Sequence, residues 1–143
     1  MSPSADCVAM VRAVEGFAAT AYPDGAYHSI GYGHHGPEVA VGSRITQDEA
    51  ERLLVVDLET VADKVSRLVR VRLSQNQFDA LVSLAYNIGL WALEKSTLLR
   101  YLNAGEHRKA AGEFKRWNRV RGIPVSGLTA RRAKEEALFR KGE

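Results

Sequence analysis

The sequence predicts an α+β fold in which a small β-hairpin lobe is attached to a larger helical lobe. Three observations predict it. Residues 19–36 abandon helical periodicity for tyrosines, glycines and the turn signal Pro23, Asp24, Gly25. Further on, Thr46 with Glu49 and Ser74 with Gln77 form two capping boxes, each opening a run with helical spacing. Finally, 143 residues of ordinary globular composition are enough for one domain with a working core. The whole chain therefore reads as a single domain: a β-rich lobe over about 15–45, a helical lobe over 46–143, and a first helix within 1–16 adjoining both.

Each element has its own signal. Val8, Val11 and Val14 recur at helical spacing and Gly16 supplies a stop, which predicts a helix over residues 4–14. Tyr22, Tyr27, Ile30 and Tyr32 predict a twisted hairpin. The first capping box opens a long helix through Leu53, Leu54, Leu58, Val61, Val65 and Leu68. The second opens one through Phe78, Leu81, Leu84 and Ala85 that stops near Gly89. Ser96 caps a helix ending at Gly105, residues 106–117 read as another, and Ser126 or Thr129 starts the last, ending near Phe139. Cys7 suits a small core residue, and Trp91 and Trp117 suit core or rim packing.

Composition removes several functional classes. No run of about 18 apolar residues is present, so no membrane-spanning helix and no stable membrane insertion are expected. The N-terminal residues lack a basic stretch followed by an apolar block, so no secretory signal is expected. One cysteine allows no internal disulfide. The net charge of +3 is concentrated in residues 108–141, a basic segment suited to meeting anionic polymers.

Gly31, Gly33 and Gly36 match the spacing G-x-G-x-x-G of dinucleotide sites. That fingerprint needs a strand-to-helix turn, whereas these glycines sit within and just after an aromatic strand, and Pro37 follows at once. Gly31 and Gly33 instead suggest close approach of another backbone or a ligand. His28 and Ser29 are adjacent, so on a strand they point to opposite faces and form no nucleophile–base pair. His34 and His35 lack a third ligand at metal spacing, and His34 reads as a hydrogen-bonded residue tying the hairpin to its neighbours. Neither metal nor cofactor is expected.

A pair of carboxylates remains. Glu15 closes the first helix, where the helix dipole disfavours ionisation, and Asp24 follows nine residues later at an exposed turn. Two carboxyls with unlike environments suit a general acid and a general base. By spacing alone they also suit two ordinary surface acids.

The whole string "VEGFAATAYPDGAYHSIGYGHH" resembles the active-site segment of the phage-type lysozymes, the endolysins that include the lambdoid and T-even phage enzymes. Glu15-Gly16, Tyr22, Asp24 and Ile30-Gly31-Tyr32-Gly33-His34 carry the match, with Ser29 where the family has threonine and a loop one residue shorter. Residues 78–89, 96–118 and 127–139 are similar to the family's helical lobe. The resemblance implies a lysozyme-like fold with its cleft between the two lobes. It further implies cleavage of the β-1,4 bond between N-acetylmuramic acid and N-acetylglucosamine in peptidoglycan, leading to bacterial lysis.

Carried onto this chain, it makes Glu15 the general acid and gives the attacking water to Asp24 with Ser29. It also implies inversion, hence carboxyls about 6.5–9.5 Å apart. Tyr32, His34, Tyr86, Asn87 and Arg131 become candidate substrate contacts. Tyr86 and Asn87 equally suit a core aromatic and a helix C-cap, and Arg131 a solvated helix face. Peptidoglycan is the expected partner of a monomer that binds no nucleic acid. The enzyme would be held in the host cytoplasm until it is released to the wall. A lytic transglycosylase and a catalytically dead wall-binding module are the alternatives.

Overall fold

A computed structural model describes residues 1–142. The elements run α1 (Ala5–Glu15), β1 (Ala18–Asp24), β2 (Tyr27–Gly31), β3 (His34–Gly36), α2 (Gln47–Leu68), α3 (Gln75–Ile88), α4 (Leu90–Glu94), α5 (Thr97–Asn103), α6 (His107–Ala111), β4 (Arg119–Val120), β5 (Ile123–Pro124) and α7 (Ser126–Lys141), with a 3₁₀ turn at Phe114–Arg116 before β4. Contacts divide the chain into two compact units. One comprises Ala5–Thr60; the other comprises Met1–Ser4 with Val61–Glu143.

In the first unit, β1, β2 and β3 form an antiparallel sheet in that order. Asp24 pairs with Tyr27 across a two-residue turn whose first residue, Gly25, has φ +62°, the position where a hairpin turn of type II′ requires glycine. Pro23, which has no N–H to give, sits on the edge strand β1. The register slips between Ala18 and Tyr22. There β1 uses its other edge, with Ala21 N donating to Ser43 O at 2.9 Å and Ile45 N to Ala19 O at 2.9 Å. An irregularity of this kind turns the strand and re-aims the residues beyond it.

Gly31 has φ +68°, and a Cβ there would lie 3.1 Å from the Ala50 Cβ. The expected close approach is therefore that of the first turns of α2. The Thr46–Glu49 box forms as the sequence predicts: Glu49 N donates to Thr46 Oγ1 and Thr46 N to Glu49 Oε1. Arg12 on α1 and Glu51 on α2 form an ion pair at 3.1 Å. Cys7, Val11, Leu54 and Leu58 are buried.

The second unit is helical. Ser74 and Gln77 form the complete capping box of α3, and the Gly89 N–H closes its C-terminus on Ala85 O. Ser96 caps α5 through Leu99 N at 3.0 Å. α3 and α7 pack against each other, as do α5 and α6. The Phe114 and Phe139 rings meet at 5.4 Å, tying the 3₁₀ turn to α7.

Two local expectations are corrected here. Residues 106–117 do not form one helix: α6 stops at Ala111, and beyond Gly112 the chain tightens so that Phe114 is buried. The β4–β5 hairpin follows, its turn built on positive φ at Arg121 and Gly122. Trp91 is not packed; it is 71% exposed, with the Lys95 ammonium 4.3 Å from its ring. Among the described residues no helix is long and apolar enough to cross a membrane.

Candidate active site

The first unit holds Glu15, Asp24 and Ser29. Glu15 is the last residue of α1 and is half-buried. Gly16, at φ +71°, ends the helix directly after it. Asp24 ends β1 and is exposed. Ser29 lies in the middle of β2 and is fully buried. Its hydroxyl donates to Asp24 Oδ2 at 2.7 Å. A buried serine thus holds an exposed carboxylate in one orientation.

Tyr22, the cross-strand partner of Ser29, joins this group. Burial pushes its phenol above the ordinary value, and the negative charges of Asp24 and Glu15 both add to the shift while Ser29 opposes it. Both carboxyls therefore act on one phenol, which stays neutral and able to donate across the physiological range. The sequence match included Tyr22 without giving it a role; its register opposite the threonine-equivalent position was the available signal.

Tyr32 and His34 brace the hairpin. Tyr32 is 4% exposed, its ring 5.6 Å from Phe17 and its hydroxyl accepting from Gln47 Nε2 at 3.1 Å. His34 sits between two carboxylates, with Asp57 Oδ2 2.7 Å from Nδ1 and Glu38 Oε1 2.7 Å from Nε2. Its own burial would lower the imidazole pKa, but these two partners outweigh it and raise the value. Burial pushes Asp57 up, while Glu38 is lowered by its own backbone hydrogen bond and by His34. This is the tie from hairpin to neighbour that the sequence suggested.

The remaining candidates lie in the second unit. Tyr86 and Asn87 are near the end of α3, Tyr86 half-buried and Asn87 exposed. Arg131 is buried and does not form a solvated face. Its Nε donates to Glu135 Oε2 at 3.2 Å and its Nη2 to the Ser83 carbonyl at 3.1 Å. Arg132, which sequence reasoning passed over, is fully buried. Its Nε lies 2.9 Å from Glu135 Oε1, and its Nη2 donates to Asn87 Oδ1 at 2.7 Å. The Ser83 hydroxyl completes the cluster, donating to Glu135 Oε2 at 2.6 Å. Burial pushes Glu135 above the usual carboxylate range, against Arg132, Ser83 and Arg131, which all favour its ionised form.

A three-stranded sheet and a helical unit in this order, with a carboxyl closing the first helix and a serine-held carboxylate on the first hairpin, define a lysozyme-like protein. The solved structures agree. The muramidase domain of SpmX from Asticaccaulis excentricus superimposes with a TM-score of 0.90 at 36% identity, covering 96% of this chain and 97% of that one. A P22 lysozyme does so with a TM-score of 0.83 at 38% identity, covering 98% and 99%.

Residues 12–135 match the phage lysozyme family model, and the chain belongs to that family. The endolysin of Salmonella phage P22 is 41% identical over 144 residues, covering 97% of this chain and 98% of that protein. The endolysin of Bacillus phage B103 is 47% identical over 137 residues, covering 94% of this chain. The chain spans about half the length of the B103 protein, 52%, and of its counterpart from Bacillus phage PZA, 53%.

Proposed function

We propose that this protein is an endolysin that hydrolyses the β-1,4 bond between N-acetylmuramic acid and N-acetylglucosamine in peptidoglycan. The observation that carries the reading is the Ser29–Asp24 hydrogen bond, made beside the same phenol that feels Glu15. Family membership, and the names endolysin and muramidase borne by similar proteins, support the substrate.

In the reaction, Glu15 gives its proton to the glycosidic oxygen as the bond to the anomeric carbon breaks. A water attacks that carbon from the opposite face, and Asp24 accepts its proton. Ser29 spends its own hydrogen on Asp24 and so keeps that exposed carboxylate aimed at the water. One water is consumed and both new ends carry hydroxyls. Tyr32 and His34 contribute by fixing the hairpin.

The test is digestion of purified peptidoglycan by wild type and by E15Q. The wild type releases fragments with reducing ends, heavier by one water than the anhydro-sugars of a lytic transglycosylase. E15Q keeps its melting temperature and loses at least about a hundredfold in rate. Equal digestion by both overturns the acid assignment, anhydro products make the protein a transglycosylase, and digestion by neither leaves a wall-binding module.

A further inference from the structure

Among the described residues the largest apolar side chain left in water is that of Trp91, on α4 in the second unit. An indole in water forgoes the burial that tryptophan contributes elsewhere, and it offers a flat apolar surface on which a ligand ring can stack. Its partner is a cation, the Lys95 ammonium 4.3 Å from the ring. One ammonium covers only part of an indole, and the ring stays open to a ligand.

Lys95 also lines a pocket of about 490 Å³ that lies wholly in this unit, with Arg70, Glu94, Ser96, Arg100 and Asn103. Three cations thus face one acid. Elsewhere in the unit Lys109, Arg116 and Arg140 are each paired with a glutamate. Among the described residues Arg70, Lys95 and Arg100 form no such ion pair.

The backbone beneath these cations is fixed. Asn103 Nδ2 donates to Leu68 O at 3.0 Å and its Oδ1 accepts from Arg70 N at 2.8 Å, which holds the chain leaving α2 to α5. The buried Ser96 hydroxyl donates to Leu93 O at 2.6 Å and accepts from Leu99 N at 3.0 Å, setting the corner between α4 and α5. A floor already in place spares a ligand the cost of ordering it. Guanidinium groups match carboxylate and phosphate oxygens, so the pocket suits an oxyanion and the indole beside it a ring.

We infer that Trp91 with Arg70, Lys95 and Arg100 forms a second wall-binding site, which takes a sugar ring bearing a nearby oxyanion and breaks no bond. The ligand is named on the strength of the muramidase reading. A bacterial wall offers such oxyanions from two sources, the carboxylates of the stem peptides and the phosphodiesters of polymers attached to the glycan.

The experiment is co-sedimentation with insoluble wall in the cold, every variant being built on E15Q so that the wall stays intact. W91A raises Kd about tenfold and R100Q about fivefold, at unchanged melting temperature. R100Q flattens the loss of affinity with salt, whereas W91A leaves its steepness as it was. K64Q removes one exposed charge elsewhere on the unit and changes Kd less than about twofold. If the R100Q difference vanishes on wall stripped of phosphodiester polymers by hydrofluoric acid, the oxyanion is phosphate. If it vanishes on wall whose stem-peptide carboxyls are blocked as amides, the oxyanion is carboxylate.

A difference that survives both treatments overturns the site, as does an unchanged Kd in W91A and R100Q or a K64Q effect equal to that of R100Q. Tighter binding to a single-stranded oligonucleotide than to wall, lost in the same variants, overturns it in favour of nucleic acid. Failure of the muramidase reading shows separately, as wild type that releases no reducing ends, and the Kd differences are measured whatever that result.

Discussion

Two of the serine–carboxylate pairs, one in each unit, are of nearly equal length and opposite character. Ser29 donates to Asp24 at 2.7 Å, and Ser83 donates to Glu135 at 2.6 Å. In the first pair only the serine is buried and the acid stands in solvent, where a ligand can reach it. In the second both partners are fully buried and two arginines flank the acid. The hydrogen bond is the same; the surroundings decide its use. An exposed acid held from beneath is available for chemistry, whereas an acid enclosed with Arg131 and Arg132 holds α3 to α7.

This comparison breaks most visibly at Glu135. E135A leaves two guanidinium groups without their buried counter-charge, and it costs about 3–5 kcal/mol of stability, read by urea denaturation. D24N, by contrast, leaves the denaturation midpoint within about 0.5 kcal/mol of wild type, as expected of an exposed position. It lowers peptidoglycan hydrolysis at least about a hundredfold. If D24N destabilises as strongly as E135A, or if E135A is tolerated, the two pairs do not differ in the way proposed.

Removing the serines sharpens the same contrast at smaller amplitude. S83A deprives a buried carboxylate of one partner and costs about 1–3 kcal/mol of stability. S29A costs less stability, because Asp24 can turn to water, but it lowers activity about tenfold by loosening Asp24 and, through it, the bound water. Threonine at this position, S29T, restores the family's hydroxyl and keeps activity. A fully active S29A would show that Asp24 holds the water unaided.

The two pairs were not equally legible in the sequence. The elements around Asp24 are signalled within a few residues: Gly25 for the turn, Gly16 for the helix end, Thr46 with Glu49 for the next helix start. The family resemblance then named Glu15, Asp24 and Ser29, all lying within one local stretch. The Glu135 cluster joins residues about fifty positions apart, from Ser83 to Glu135, and no local periodicity encodes such a pairing. Read alone, residues 131–136 carry the charge pattern of a solvated helix face, and only packing against α3 reveals Arg131, Arg132 and Glu135 as buried. Trp91 was misread for a related reason. Its helix, Leu90–Glu94, is too short for the spacing of apolar residues to say which side faces water.

The smallest expected effect belongs to a third charged group, which lies between the two extremes in exposure. His34 is partly exposed, braced by Asp57 and by the largely exposed Glu38. Its pKa is raised in the folded state, so the folded protein holds the proton more tightly than the unfolded chain does. The stabilisation is therefore complete below about pH 6.5, the unfolded value, and is lost as pH rises through the higher folded value. Solvent screening keeps it to about 1 kcal/mol or less. Melting temperature should thus fall modestly from pH 6 upward through the folded value in wild type, and H34N should flatten that fall while retaining activity if His34 serves only to fix the hairpin. An identical slope in both proteins would place the pH dependence elsewhere. A selective loss of activity in H34N at unchanged stability would move His34 from brace to substrate contact.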